Sequence, residues 1–199
     1  MKLNKAVNSR NSLLAKPKKK RLSAVDWLQG SLDLLAREGH SVLTIDKLCE
    51  NLQVTKGSFY AHFKSRSDFE RRLIEYWEDQ FTASVERAMR GLKALSPEDR
   101  MFELLSLTTK ERSAVYDVAV RAWAATHPEL KDVIKETDDI RMGTIRGMMR
   151  KMGFRGRDLE MRTHVFVTYA SFRWVVQSQK FDPTKSESLR SICELLTAK

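Results

Sequence analysis

The stretch TIDKLCENLQVTKGSFYAHFKSRSDF, from Thr44 to Phe69, constrains this chain more than any other. Ile45, Leu48, Cys49 and Leu52 recur at i, i+3, i+4 and i+7, one apolar face of a short helix. Thr44 stands just before it, where a hydroxyl can cap orphan backbone N–H groups. Val54 is a buried plug in the turn that follows. Thr55 is a second N-cap candidate, and Phe59 and Phe63, four apart, share one side of a second short helix. Lys56, Ser58, Tyr60 and His62 occupy its other side. Ser65 and Asp68 have the S-x-x-D spacing of a capping box opening a third, longer helix. Two short helices around a tight turn, aromatics behind and small donors in front, suit insertion into the DNA major groove.

The rest of the chain is helical in pattern. Its 199 residues contain only 8 Gly and 4 Pro, which favours an all-α fold. A chain of this length buries enough surface to fold without a disulfide or metal staple. Cys49 and Cys193 fall on apolar helical faces and read as small buried hydrophobes of a reducing compartment. No stretch approaches the ~20 apolar residues of a membrane span. The lysines near the start lack the apolar core of a secretory signal, so a cytoplasmic protein is expected.

The formal net charge of +10 is unevenly placed. Residues 1–21 hold eight Lys/Arg and no acid, which leaves 28 basic and 26 acidic residues for the body. This tail, with Pro17 inside it, reads as a disordered basic arm. Its tract Lys16, Lys18, Lys19, Lys20 and Arg21 suits phosphate or minor-groove contact beside a DNA-binding unit. A solubilising tail is the plainer reading, and the tract also has the look of a nuclear-localisation signal.

In chain order, a first helix runs from about 23 to 38, with Ser23 and Asp26 as a capping box and Gly39 as a left-handed stop. Phe69, Leu73, Trp77, Phe81, Val85 and Met89 stripe one helix from about 66 to 90, long enough to enter a second unit. That unit opens at Ser96-Pro97-Glu98-Asp99, and its helices cover about 97 onwards, 113–126, 128–152, 158–178 and 185–197. The penultimate helix is apolar nearly all round, so it needs cover on several sides.

The segment VTKGSFYAHFKSRSDF resembles the recognition helix of the TetR family of transcriptional regulators. The matching positions are Lys56, Gly57, Ser58, Phe59, Tyr60, Ala61, His62, Phe63 and Arg66, and the resemblance extends over residues 23–75. The turn glycine of the family pattern is Gln53 here, so a residue with a Cβ is expected at φ > 0. The resemblance implies a nine-helix TetR-like architecture. A helix-turn-helix unit spans 22–66, and an effector-binding and dimerisation unit spans 67–199. It further implies a homodimer whose last two helices form a four-helix interface, with Val165, Tyr169, Phe172, Val176, Leu189, Ile192, Cys193 and Leu196 as candidates. A repressor that binds a palindromic operator and is released by a small-molecule effector is the function so implied.

Expected contacts to double-stranded DNA are Thr44, Lys47, Thr55, Lys56, Gly57, Ser58, Tyr60, His62, Lys64 and Arg66. The helix-turn-helix unit holds five basic and five acidic residues, a net charge of zero, so the arm is a candidate source of the missing field. Candidate effector-pocket residues are Phe102, Asp117, Arg121, Trp123, Thr137, Arg141, Thr144 and Met148. Arg141 interrupts an apolar stripe, where an unpaired charge is costly. It is a polar anchor in a pocket, half of a structural ion pair with Asp117 a candidate partner, or an arginine that reaches solvent at an edge. Asp117 and Arg121, at i and i+4, can stabilise their own helix. The four histidines are scattered, and neither a catalytic constellation, a metal site nor a cofactor motif is evident. A constitutive or protein-controlled DNA binder is the alternative, and a helical-bundle enzyme a further one.

Overall fold

The computed structural model describes residues 22–110, 113–176 and 178–199. The arm residues Lys16, Lys18, Lys19, Lys20 and Arg21 lie outside them. The described residues form nine helices and no strand, counting the rod from 66 to 91 as one helix.

Helix α1 (Ala24–Glu38) begins at Ser23, whose hydroxyl accepts from the Asp26 N–H while the Asp26 carboxylate accepts from the Ser23 N–H. It stops at Gly39, with φ 82° and ψ 177°, whose N–H closes on the Leu35 carbonyl at 2.9 Å. The φ is positive as expected, but the extended ψ differs from a left-handed helical cap and sends the chain into the 3₁₀ turn His40–Val42.

Helix α2 (Ile45–Leu52) is capped by Thr44, which accepts from the Lys47 N–H at 3.2 Å. It ends on Gln53 in the left-handed region, φ 54° and ψ 44°. The Val54 N–H bonds the Cys49 carbonyl at 2.9 Å and the Gln53 N–H bonds the Glu50 carbonyl at 3.1 Å. This is a Schellman ending with glutamine where glycine is usual. Helix α3 (Lys56–Tyr60) has only five residues, too few to be stable alone. Phe59 holds it, buried against the rings of Trp27 at 5.5 Å, Phe63 at 5.1 Å and Phe69 at 5.5 Å.

Helix α4 runs as Arg66–Glu78, continues through a π-helical segment Asp79–Ala83, and resumes as Ser84–Gly91. The apolar stripe alone predicts an unbroken helix. The extra residue in the π turn lets the Thr82 hydroxyl and the Phe81 carbonyl both face the Arg141 guanidinium. Then follow α5 (Pro97–Lys110), α6 (Ser113–Thr126), a 3₁₀ turn Pro128–Leu130, α7 (Lys131–Lys151), α8 (Gly156–Phe172) and α9 (Ser186–Thr197). Helix α8 ends at Phe172, short of the expected 178. The buried Arg173 folds back onto the Ala170 carbonyl and donates to Thr109 Oγ1 at 2.9 Å, so the chain turns there and Trp174 leaves the helix.

Two apolar cores form. The first joins α1 to α3 and the first half of α4 to Tyr116, Val120 and Trp123 of α6. Tyr116 Oη donates to Asp33 at 2.6 Å, and Tyr76 Oη donates to Gln29 at 3.0 Å. The helix-turn-helix unit is therefore cemented onto α6 rather than hung from α4 alone. The second core joins the end of α4 with α5, α7, α8 and α9. Leu189, Cys193 and Leu196, expected at a dimer interface, are buried in this core of their own chain. Helix α9 lies on α5, which takes up that face.

Candidate nucleic-acid interface and buried cavity

The candidate DNA-facing residues lie on α2 and α3, at their caps, and on the segment that opens α4. Tyr60 is 58% exposed at the end of α3, its ring edge-on to Phe59 at 5.3 Å. Lys56, Gly57 and Thr55 are exposed at the start of the same helix, and Ser58 is half-buried. A Cβ built on Gly57 would meet only Thr55 Oγ1, at 3.7 Å, so nothing inside the protein requires glycine there. The open side is where a nucleic-acid backbone can approach closely. Thr55 is the N-cap residue of α3, but its side chain makes no capping bond. Thr44 keeps its O–H free for an acceptor while capping α2. His62 is half-buried, and its carbonyl is pinned by Arg72 Nη1 at 2.7 Å. That guanidinium also lies 4.9 Å from the Phe63 ring centroid, so Arg72 locks the exit of α3.

The basic residues of this surface are largely engaged with acids. Lys56 Nζ pairs with Asp46 at 2.6 Å, Lys47 with Glu50 at 3.1 Å, and Arg66 with Glu70 at 2.8 Å. The Asp46 carboxylate raises the Lys56 pKa, first through its hydrogen bond and then through its charge. Lys64 is exposed, and its backbone N–H donates to Asp68 at 3.0 Å. Asp46 and Arg72 are not among the residues the sequence points to at this site. Both partnerships bridge ten positions in sequence, a separation with no local signature.

Arg141 is the polar centre of the body. Its Nη1 donates to Asp117 Oδ2 at 2.7 Å and its Nη2 to Asp117 Oδ1 at 3.1 Å. Nε donates to Thr82 Oγ1 at 3.0 Å, and the guanidinium lies 5.5 Å from the Trp77 ring centroid. Trp77 Nε1 also donates to Asp117, at 3.1 Å. The structural ion pair is therefore present, and it binds α4, α6 and α7 together. A cavity of about 60 Å³ adjoins it, lined by Thr82, Asp117, Arg141, Thr144 and Ser171 on the polar side. Val85, Leu104, Ile145 and Phe166 line the apolar side. Thr144 donates to Glu86 at 2.8 Å.

Other expected pocket residues lie elsewhere. Phe102 sits under the Arg190 guanidinium at 4.4 Å, and Met148 is in the second core. Arg121 is not paired with Asp117, which Arg141 occupies; it forms a bidentate pair with Asp138 of α7 at 2.9 and 2.5 Å. Trp123 and Thr137 line a different groove.

Val165, Phe172 and Val176 are exposed, as are Met161, Val175 and Leu195, while Tyr169 and Ile192 are half-buried.

A capped helix, a tight turn and a short aromatic-backed helix presenting donors outward constitute a helix-turn-helix unit of the kind that reads DNA grooves. Over residues 28–71 that unit matches the family model of the bacterial regulatory proteins of the tetR family. The transcriptional regulator AcuR of Cereibacter sphaeroides is 31% identical over 61 residues, which is 31% of this chain and 28% of that protein. The match thus spans little more than a quarter of that curated relative. The fold is similar over most of the chain to that of two solved regulators. FadR of Bacillus subtilis, crystallised with stearoyl-CoA, has a TM-score of 0.67 at 18% identity, covering 88% of this chain and 98% of that one. PfmR of Thermus thermophilus, a TetR-family transcriptional regulator, has a TM-score of 0.67 at 16% identity, covering 89% and 96%.

Proposed function

We propose that this chain is a DNA-binding transcriptional regulator of the TetR type, acting in the cytoplasm as a homodimeric repressor that a small-molecule effector releases. The observation that carries the reading is the recognition helix, five residues locked by Phe59 and presenting Tyr60, Lys56 and the open face of Gly57. Dimerisation rests on the exposed apolar face of Met161, Val165, Phe172 and Val176 on and beyond α8, an unusual amount of bare apolar surface for a monomer. Tyr169 and Ile192 edge that face, whereas Leu189, Cys193 and Leu196 act behind it as its support.

The effector reading rests on the cavity beside Arg141. At about 60 Å³ it has room for a few waters only. A larger effector must part α4 from α7, and α4 leads directly to the recognition helix. A ligand that prefers the parted state lowers DNA affinity by linkage. The stearoyl-CoA bound by FadR makes acyl compounds a first class to screen. The fully satisfied Arg141–Asp117 pair favours the alternative of a DNA binder without an effector.

Selection of bound fragments from random DNA tests the reading, with an inverted repeat spaced for two successive major grooves as the expected product. Tyr60→Ala and Lys56→Ala are expected to lose affinity for that operator while keeping the helical spectrum. Phe172→Glu is expected to sediment as a monomer or to precipitate. Unchanged operator affinity in both recognition-helix variants would sink the assignment.

A further inference from the structure

Positive charge on the body is concentrated away from the recognition helix. Residues 146–162, the end of α7 and the start of α8, hold six basic and two acidic residues. Their net of +4 exceeds the +2 of residues 22–199 as a whole, so the rest of the body is net acidic. Both acids are already taken, Glu160 by Arg146 at 2.8 Å and Asp158 by Arg162 at 2.8 Å. Arg150, Lys151, Arg155 and Arg157 are left, all exposed and, among the described residues, without an ion pair. They stand on and beside the turn 152–155 that joins the two helices. Gly153, φ 102°, and Gly156, φ 55°, let that turn be tight and add no side chain over it. Arg155 is fixed in place: its Nη1 donates to the Arg150 and Phe154 carbonyls, both at 2.7 Å. Its Nε and Nη2 make no hydrogen bond among the described residues, so the edge of the guanidinium that grips an oxyanion side-on is open and already oriented.

This corner is remote from the recognition helix. The first turns of α7 line a groove with Glu70 and Ile74 of early α4, whereas Met148, Met149 and Phe154 share a core with Val85 and Met89 near the end of α4. The 21 residues of α7 span about 30 Å between those ends. From this juxtaposition we propose a second nucleic-acid contact: the α7–α8 corner takes the phosphate backbone of a duplex separate from the one at α3, without reading its bases. Three of the four free cations are arginines, whose planar forks match phosphate oxygens. A membrane or an acidic protein fits less well. Phe154 is buried under the Arg162 guanidinium at 4.2 Å and Met152 is half-buried, so the corner has no apolar side chain to insert among lipids or to anchor a protein interface. The contact does not depend on the recognition helix. Where both act, one molecule holds two duplex segments together.

The test is fluorescence anisotropy of the full chain on a labelled mixed-sequence duplex of about 30 base pairs, over a salt series. Arg150→Gln/Lys151→Gln/Arg155→Gln/Arg157→Gln is expected to flatten the slope of log K against log salt by about 2–4, at about 0.9 per phosphate released. A charge-matched control at exposed positions elsewhere, Lys131→Gln/Lys135→Gln/Lys180→Gln/Lys185→Gln, is expected to change it by less than about 1. The same flattening is expected on a Lys56→Ala/Tyr60→Ala background, since the two contacts are separate. Parent protein saturating an immobilised duplex is expected to capture a second, labelled one, and the corner variant is not. Because Arg155 also closes the end of α7, the quadruple variant could lose its helical spectrum; Arg150→Gln/Lys151→Gln/Arg157→Gln, which keeps Arg155, is then expected to flatten the slope by about 2–3. Loss of binding in the corner variant but not in the recognition-helix variant leaves the second contact standing and removes the recognition-helix reading; the reverse pattern overturns the second contact alone. The inference is also overturned by a control that flattens the slope equally, by no capture of a second duplex, or by a corner that holds phosphatidylglycerol vesicles and not the duplex.

Discussion

Replacing Asp117 by Asn is expected to destabilise the chain by several kcal/mol while changing no side-chain volume to speak of. The Asp117 side chain is 3% exposed and that of Arg141 14%, so solvent screens the pair little. Asp117 accepts two bonds from Arg141 and one from Trp77 Nε1. Asparagine has one acceptor oxygen, and its amide nitrogen would confront an N–H of Arg141 or Trp77. The guanidinium then keeps its charge with no carboxylate beside it, a change that costs about 3–5 kcal/mol. At about 2–4 °C per kcal/mol for a chain of this size, Tm falls by about 6–20 °C. Thermal scans at fixed protein concentration measure this, which holds any self-association constant. Removing both charges, as Asp117→Leu/Arg141→Met, is expected to cost less than Asp117→Asn alone, because no buried charge is orphaned. A loss below about 1 kcal/mol for Asp117→Asn, or a double variant as unstable as the two single losses added, would show that the pair is effectively solvated.

Gln53→Gly is expected to stabilise the fold by up to about 1 kcal/mol, relief of left-handed strain being partly offset by the freedom glycine gains when unfolded; urea midpoints at unchanged m-value check it. His40, stacked on Trp123 at 5.0 Å and 4.1 Å from His127, has its pKa lowered by burial and then by the His127 charge. Its folded pKa lies below the unfolded one of about 6.5, so its contribution is complete above that pH and is lost as pH falls through the folded value. The stability of His40→Phe relative to the parent is therefore expected to rise on going from pH 7.5 to 5.5, and a pH-independent difference would refute this. Deleting residues 1–21 removes eight cations. If half of them meet phosphate, the slope of log K against log salt on one operator flattens by about 3–4; identical slopes mean that the arm is only a solvated tail.

Much of this molecule follows from local chemistry that is legible in the chain. The helices over 24–38, 45–52 and 113–126 match their expected spans because caps at Ser23 and Thr44 and the break at His127-Pro128 act within a few residues. The positive φ of Gln53 follows likewise, since a turn that tight needs it whatever residue stands there. The pairing of Arg141 with Asp117 is one of three readings the sequence allows, and only the packing of α6 on α7 selects it.

Tertiary structure decided what depends on partners far along the chain. Leu189, Cys193 and Leu196 share an apolar face, and periodicity cannot say whether α5 of the same chain or a second copy covers it. The π turn in α4 presents both Phe81 and Thr82 to Arg141, some 60 positions later. Arg173 ends α8 because a buried guanidinium must find acceptors, and these came from α5 and from the last turn of α8 itself. The groove beside Trp123 and Thr137 is of the same kind: Glu78 of α4 and Glu136 of α7 are ordinary helix-surface residues until packing brings both to one groove. Local sequence chooses helices and their ends through caps and periodicity. Which charges meet, and which apolar faces stay bare, is set only when distant helices pack.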